Sequence, residues 1–138
     1  MTKEPVEILL VDDDDIDVMN VKRAFEKGNI TNRLVVARDG IQGLELLRNG
    51  SVPSGRRLVL LDLNMPRMNG IEMLRELRAD PALASTPVVV LTTSNEDRDR
   101  TDAYGLHVAG YLLKPVTFIN FVELMVTLNR YWQLVEYP

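Results

Sequence analysis

The chain has 138 residues, of which 46% are hydrophobic and 26% charged, and it carries a formal net charge of −4 at pH 7. This balance predicts one globular domain over 1–138 with a substantial core, and it excludes wholesale disorder. The acidic charge argues against a general nucleic-acid binder, and the absence of cysteine excludes disulfides, thiolate metal sites and cysteine nucleophiles.

The first predicted element is the apolar run 8–11, which the aspartate run 12–15 follows directly. Such a short run is typical of a strand buried on both faces, as in a parallel sheet. Two unit charges about 4 Å apart repel by roughly 4 kcal/mol at the effective dielectric of a protein surface. The crowded carboxylates therefore indicate a site for a divalent metal ion.

Four more short apolar runs predict strands at 34–37, 58–61, 88–91 and 111–113. Helical patterns alternate with them. The first predicted helix ends at Gly28, the second begins at Asp39, the third covers 71–78 and the charged fourth covers 96–105. Thr117 caps the fifth predicted helix, whose apolar positions are Phe118, Ile119, Val122 and Met125. This alternation predicts an α/β fold with a doubly wound parallel sheet and helices on both faces.

The tail 131–138 contains three aromatic residues, Tyr131, Trp132 and Tyr137, after the point where we expect the last helix to end. We interpret it as a C-terminal aromatic arm. Our hypothesis is that this arm packs across the two-fold interface of a homodimer, where aromatic anchors are common. The alternative is an arm that folds back on its own domain.

Polar side chains follow four of the predicted strands. Asp12 and Asp13 follow the first strand, Asp62 the third, Thr92 the fourth and Lys114 the fifth. In open sheets of this class the active crevice lies beyond the carboxyl ends of the strands, so we expect these side chains to meet there.

Each of these residues suits phosphoryl transfer to a carboxylate. Asp62 can act as the nucleophile and form an acyl phosphate. Asp13 and Asp62, with Asp12 nearby and a backbone carbonyl, offer hard oxygen ligands for Mg²⁺. Lys114 and the Thr92 hydroxyl can each contact a phosphoryl oxygen.

The chain resembles the receiver domain of bacterial two-component response regulators. The motifs that carry the resemblance are Leu-Val-Asp-Asp at 10–13, Leu-Asp-Leu-Asn-Met-Pro at 61–66, Asn-Gly at 69–70, Val-Leu-Thr-Thr at 90–93 and Tyr-Leu-Leu-Lys-Pro at 111–115. The resemblance implies a flavodoxin-like (CheY-like) fold with the strand order 2-1-3-4-5.

By this resemblance Asp62 is the phospho-acceptor, and the Asn64 main-chain carbonyl joins the aspartates as a Mg²⁺ ligand. Thr92 and Tyr111 are the switch residues. A cis peptide bond is expected between Lys114 and Pro115.

A finer resemblance is to single-domain regulators that accompany bacterial phytochromes and related histidine kinases. It rests on 63–66, 80–81, 92–97, 106–108 and the tail 131–138. It implies a phosphorelay in which a sensor histidine kinase, such as a bacteriophytochrome, phosphorylates the protein. The signal would leave by protein contact or onward transfer to a histidine phosphotransfer protein. Such a protein is not an enzyme beyond catalysing its own phosphorylation and dephosphorylation.

Three other functions are weaker interpretations. A small phosphatase that forms an aspartyl-phosphate has a second aspartate two residues after the nucleophile, where this chain has Asn64. A nucleotide or flavin module needs a glycine-rich loop, and none follows Val11. A calcium loop at 13–24 fails because Val18 replaces the required glycine and Ala24 the bidentate acid.

The remaining acidic and titratable residues receive structural roles. We assign Asp14, Asp15 and Asp17 to the start of a helix, where acidic residues are favoured, and we give His107 a structural role. Residues 1–5 lack the apolar core of a signal peptide, and no run approaches the roughly 20 apolar residues that span a bilayer. The sequence thus predicts a cytoplasmic protein.

Overall fold

A computed structural model describes residues 5–53 and 55–138. Residues 1–4, part of the start that lacks a signal-peptide pattern, and residue 54 lie outside the described residues. The strands are β1 (Glu7–Val11), β2 (Leu34–Ala37), β3 (Arg57–Leu61), β4 (Val88–Thr92) and β5 (Gly110–Leu113). The helices are α1 (Asp15–Lys27), α2 (Gly40–Arg48), α3 (Gly70–Ala79), α4 (Asp97–Gly105) and α5 (Phe118–Leu134).

The strands form a single sheet in the order β2-β1-β3-β4-β5. Every pairing is parallel, which confirms the predicted doubly wound fold. The order reverses between β1 and β3, where Val11 lies opposite Leu61. The carboxyl ends of these two strands therefore open into one crevice.

The sheet separates two hydrophobic cores. Alternate residues of β1 point to opposite faces, so Leu9 and Val11 belong to one core and Ile8 and Leu10 to the other. Helices α2 and α3 cover the first core, with Ala103 of α4, and α1 and α5 cover the second. Burial on both faces explains why the central strands are continuous apolar runs.

The acidic run after β1 divides between two structural roles. Asp14 is the N-cap of α1, and its Oδ1 accepts hydrogen bonds from the backbone N–H groups of Ile16 (2.8 Å) and Asp17 (3.3 Å). Asp12 instead lies buried at the end of the strand. The Thr117 cap of α5 is also confirmed, since its hydroxyl accepts a hydrogen bond from Asn120 N at 3.2 Å.

Helix α5 differs from the sequence prediction in its end and in its buried face. It continues to Leu134, so the expectation that it ends before Tyr131 is wrong. Its buried residues recur at helical spacing and are Phe121, Met125, Leu128 and Trp132. Phe118 and Ile119, expected to pack inward, are 42% and 72% exposed.

The physical reason is the indole of Trp132, which is completely buried in the second core, with its ring centroid 6.0 Å from that of Phe25. Residues beyond the helix fold back on the same domain. The Tyr137 hydroxyl donates to the Trp132 carbonyl at 2.7 Å, and the Arg56 guanidinium lies 5.0 Å from the Tyr137 ring centroid.

Within the described part of the chain, no helix has both the length and the apolar character needed to cross a membrane. His107, for which we expected a structural role, is exposed and follows α4 with a φ of 62°.

Candidate functional site

The side chains predicted to meet at the carboxyl ends of the strands do so. Asp12, Asp62 and Lys114 each follow the last residue of a strand, and Thr92 is the last residue of β4. Asp12, Asp62 and Thr92 are 1%, 6% and 0% exposed, whereas Asp13 is open to solvent. The crevice therefore has a buried floor and an open rim.

Lys114 lies at the centre of the crevice, and its side chain is only 6% exposed. Its ammonium donates to Asp17 Oδ2 at 2.6 Å, to Asp12 Oδ2 at 2.9 Å and to Asp62 Oδ2 at 3.3 Å. Burial lowers the pKa of Lys114, but the hydrogen bonds to Asp17 and Asp12 outweigh it, and the net pKa is raised. Lys114 is therefore a charged group at neutral pH.

Asp62 is held through both carboxylate oxygens. The Thr92 hydroxyl donates to its Oδ1 at 2.9 Å, and the backbone N–H of Asn64 donates to the same oxygen at 3.3 Å. Its other oxygen faces Lys114. Two neutral donors and one cation thus fix the orientation of the carboxylate.

Gly70, the first residue of α3, allows this helix to approach the end of β3 closely. A Cβ atom at position 70 would lie 2.5 Å from the carbonyl oxygen of Asp62 and 2.7 Å from the Cα of Leu63. Both are backbone atoms that cannot move without displacing Asp62. The close packing of helix and strand end therefore requires glycine here.

Three carboxylates of the crevice could hold a metal ion together. Oxygens of Asp12, Asp13 and Asp62 all lie within 4.8 Å of one another. Burial raises the pKa of Asp12 to about 6, against the lowering effect of its hydrogen bond with Lys114. A hard divalent cation suits this all-oxygen set and would offset the repulsion among the carboxylates.

A hydrogen-bonded path leads from Thr92 to α4 and β5. Ser94 N donates to the Thr92 hydroxyl oxygen at 3.2 Å, and the Tyr111 hydroxyl donates to the Ser94 carbonyl at 2.9 Å. The Ser94 hydroxyl donates to Asp99 of α4. Partial burial raises the pKa of Tyr111, so its hydroxyl stays protonated and can donate.

The peptide bond before Pro115 corrects one expectation. No cis peptide occurs among residues 5–53 and 55–138, so the Lys114–Pro115 bond is trans rather than cis. The trans isomer of an X–Pro bond is the more stable by about 0.5–1 kcal/mol. Lys114 N donates to the Thr92 carbonyl at 2.9 Å, which continues the pairing of β4 and β5.

Sequence reasoning missed Asp17, which it assigned only to the start of a helix. Its carboxylate contacts Lys114 more closely than any other carboxylate does within the described residues. Helix geometry could have indicated this contact, because side chains in an α-helix tilt toward its N-terminus. The N-terminus of α1 faces the crevice, so Asp17 points back into it.

A second feature that sequence reasoning missed is the ion pair of Asp39 and Arg67. Asp39 is 2% exposed and caps α2 by accepting from Gln42 N at 2.9 Å, and Arg67 Nε donates to its Oδ2 at 2.7 Å. Gly40 N also donates to the Met68 carbonyl at 3.1 Å. These contacts tie the loop after Asp62 to α2.

Residues 8–126 match the family of the response regulator receiver domain. This chain belongs to that family. The receiver is 40% identical over 132 residues to the probable methanogenesis regulatory protein FilR2 of Methanothrix harundinacea, covering 94% of this chain and 85% of the relative. It is 35% identical over 131 residues to response regulator Rcp1 of Synechocystis, covering 93% of this chain and 89% of Rcp1.

Solved structures show the same relationship. The phosphorylated cyanobacterial phytochrome response regulator RcpA superposes on the receiver with a TM-score of 0.87 at 31% identity, covering 98% of this chain and 99% of RcpA. The Mn²⁺-bound form of Rcp1 superposes with a TM-score of 0.82 at 34% identity, with the same coverage. The chain is therefore a receiver domain similar to phytochrome response regulators, as predicted.

Proposed function

We propose that this receiver accepts a phosphoryl group on Asp62 from a sensor histidine kinase in a Mg²⁺-dependent reaction. An Asp62 carboxylate oxygen forms the new P–O bond as the P–N bond to the kinase histidine breaks. The observation that carries the proposal is the set of three fixed contacts around Asp62, with Thr92 and Asn64 N on one oxygen and Lys114 on the other.

Asp12, Asp13, Asp62 and the Asn64 main-chain carbonyl would hold Mg²⁺. When bound, the ion offsets the negative charge of the phosphoryl oxygens. The clustered oxygens of the three aspartates support this assignment, and so does the Mn²⁺-bound form of the relative Rcp1. Lys114 supplies a compact positive charge to a phosphoryl oxygen, and it is already within reach of Asp62.

Thr92 and Tyr111 would report the new charge. A phosphoryl group adds nearly two negative charges at neutral pH. The Thr92 hydroxyl turns from Asp62 to a phosphoryl oxygen, and the path through Ser94 carries the change to Tyr111 and α4. The signal then leaves by protein contact or by onward transfer to a histidine phosphotransfer protein.

The cognate kinase in this proposal is a bacteriophytochrome. Its support is the similarity to a phytochrome response regulator and to RPA3017, a response regulator in red-light signalling of R. palustris. A purified bacteriophytochrome kinase should phosphorylate the receiver faster than an unrelated histidine kinase does. Equal or slower transfer would point to another sensor.

The proposal includes a homodimer whose interface is formed by the exposed end of α5. Trp132 is buried within its own domain, but Tyr131 and Leu134 are 42% and 80% exposed. We expect light scattering to give about twice the chain mass of 15.6 kDa, and Leu134→Ser to shift it toward the monomer. Val116→Ser, at a residue that is 101% exposed and precedes the opposite end of α5, is the control. A monomeric wild type would contradict the proposal.

The decisive experiment uses acetyl phosphate as the phosphoryl donor. With Mg²⁺ present, wild type should gain the mass of one phosphoryl group in an acid-stable, base-labile form, and a chelator should prevent the gain. Asp62→Asn should gain none, whereas Asp97→Asn, at a side chain that is 99% exposed, should behave as wild type. A gain in Asp62→Asn equal to that of wild type would exclude Asp62 as the acceptor.

A further inference from the structure

Lys114 has a partner that the proposed reaction does not use. Its ammonium lies 2.6 Å from Asp17 Oδ2, closer than to Asp12 at 2.9 Å or Asp62 at 3.3 Å. An ammonium has three N–H donors, and here each has a carboxylate acceptor. Asp17 therefore shares in fixing the position of the charge that faces the phospho-acceptor.

The lysine needs such an anchor because its charge sits at the end of a flexible four-carbon chain. The hydrogen bond from Lys114 N to the Thr92 carbonyl fixes its backbone, but it does not fix the ammonium. Any charged group that stabilises a transition state must be held in place before the reaction. The ammonium is held by its three carboxylates.

Two of these carboxylates change during the proposed reaction. Asp62 becomes an acyl phosphate, and Asp12 belongs to the set of oxygens that could bind the metal ion. Asp17 is outside that set. It is thus the partner whose contact with Lys114 can persist from the resting state through phosphorylation.

Asp17 is itself held on a rigid element. It is the third residue of α1, and its backbone N–H donates to the Asp14 cap at 3.3 Å. The next residue, Val18, is buried in the core that α1 shares with α5. The side chain of Asp17 is 24% exposed, at the rim of the crevice.

We propose that Asp17 is a positioning residue that holds the Lys114 ammonium where it reaches the phosphoryl group. This inference rests on the proposed function, because it concerns the rate at which Asp62 is phosphorylated. Asp17 touches neither the donor nor the metal ion in this mechanism. It acts through Lys114.

The test is a double-mutant cycle on the rate of phosphorylation by acetyl phosphate and Mg²⁺. Asp17→Asn should slow the wild-type reaction by about tenfold, because the lysine loses its closest charged anchor. In a Lys114→Gln background the same substitution should change the rate less than about twofold, since there is no ammonium left to position. Asp15→Asn is the matched control, because it removes the same charge from the same turn of α1 and contacts Arg38 instead.

Each outcome decides between distinct conclusions. If wild type is not phosphorylated at all, the proposed function fails. If wild type reacts and Asp17→Asn matches Asp15→Asn, the positioning role is overturned. It is also overturned if Asp17→Asn slows the reaction equally with Lys114 and with Gln at position 114, which a general structural effect would produce. If Asp17→Asn does not fold by circular dichroism, Asp17→Ser, which also removes the carboxylate, takes its place in the cycle.

Discussion

Single residues at the strand ends carry most of the chemistry. Asp12, Asp62, Thr92 and Lys114 could be placed together from sequence because parallel strands bring their carboxyl ends to one edge. Asp17 could not, because its role depends on the direction of a helical side chain relative to a lysine that is 97 positions away. Arg67 was missed because it lies in the loop after β3, whereas its partner Asp39 follows β2.

Metal binding should be visible as stability before any phosphorylation is measured. A ligand that binds only the folded state stabilises it by about 2.7 kcal/mol at a hundred times its Kd. We therefore expect Mg²⁺ to raise the thermal midpoint of wild type, and Asp13→Asn to remove most of this rise. Asp15→Asn should keep it, because Asp15 is outside the carboxylate cluster. A full rise in Asp13→Asn would exclude Asp13 as a ligand.

The ion pair of Asp39 and Arg67 should make the folding stability decrease at acidic pH. Burial raises the pKa of Asp39, but the hydrogen bonds from Gln42 N and Arg67 outweigh it, and the net pKa is lowered. A carboxyl group whose pKa is lower in the folded state stabilises the fold at neutral pH. That contribution is lost as the pH falls below about 4.

Arg67→Gln should accordingly destabilise the protein by about 1 kcal/mol at pH 7, and by progressively less below about pH 4. The expected cost is modest because the side chain of Arg67 is 65% exposed, and solvent screens such pairs. Urea unfolding of wild type and of Arg67→Gln, at pH 7 and below about pH 4, measures this difference in the free energy of unfolding. Arg38→Gln, which breaks a pair of exposed side chains with Asp15, should cost less than about 0.5 kcal/mol. A cost for Arg67→Gln that does not depend on pH would contradict the expected role of the pair.

At the scale of elements, the sequence located the helices and strands well but assigned helix faces less well. Phe118 and Ile119 of α5 are apolar, yet they are 42% and 72% exposed. The periodicity of an apolar-rich helix is compatible with more than one inward face, and the choice depends on packing partners. In α5 the partner is α1, whose Phe25 contacts Trp132.

The contact of α3 with the end of β3 can be tested through two glycines. Gly70→Ala should destabilise the protein by about 2–4 kcal/mol and slow phosphorylation, because the new Cβ meets the Asp62 carbonyl. Gly105→Ala is the control, since a Cβ at that end of α4 has no heavy atom within 4 Å. Gly105→Ala should stabilise the protein by up to about 1 kcal/mol. Thermal unfolding compares the two, and equal effects would show that close packing at position 70 is unimportant.

At the scale of the whole molecule, the single tryptophan lies away from the crevice. Trp132 is packed near Arg56, which precedes β3, whereas the candidate site follows the carboxyl ends of the strands. The alternation of strands and helices in the sequence was enough to predict the doubly wound parallel sheet with helices on both faces. The return of residues 135–138 onto the domain was only the alternative interpretation of the aromatic tail, because it depends on the contact of Tyr137 with Arg56, which no sequence motif indicates.

Trp132 should consequently report global unfolding rather than site occupancy. We expect its emission to be blue-shifted in the native protein, and to change with urea in step with the far-UV circular dichroism, as two-state unfolding requires. Added Mg²⁺ should leave the native emission unchanged while the thermal midpoint rises. A large change in native emission on adding Mg²⁺ would show that the site and the Trp132 core are coupled.

Helix α4 contributes one small residue, Ala103, to the core, although it receives the hydrogen-bonded path from Thr92. Its other residues can therefore be exchanged during evolution with little loss of fold stability, since surface substitutions usually change it by less than about 0.5 kcal/mol. A receiver lineage could acquire new partners by altering this helix while the strand-end residues stay the same. The fold thus keeps the residues of the strand-end chemistry apart from the exposed positions of α4, which tolerate substitution.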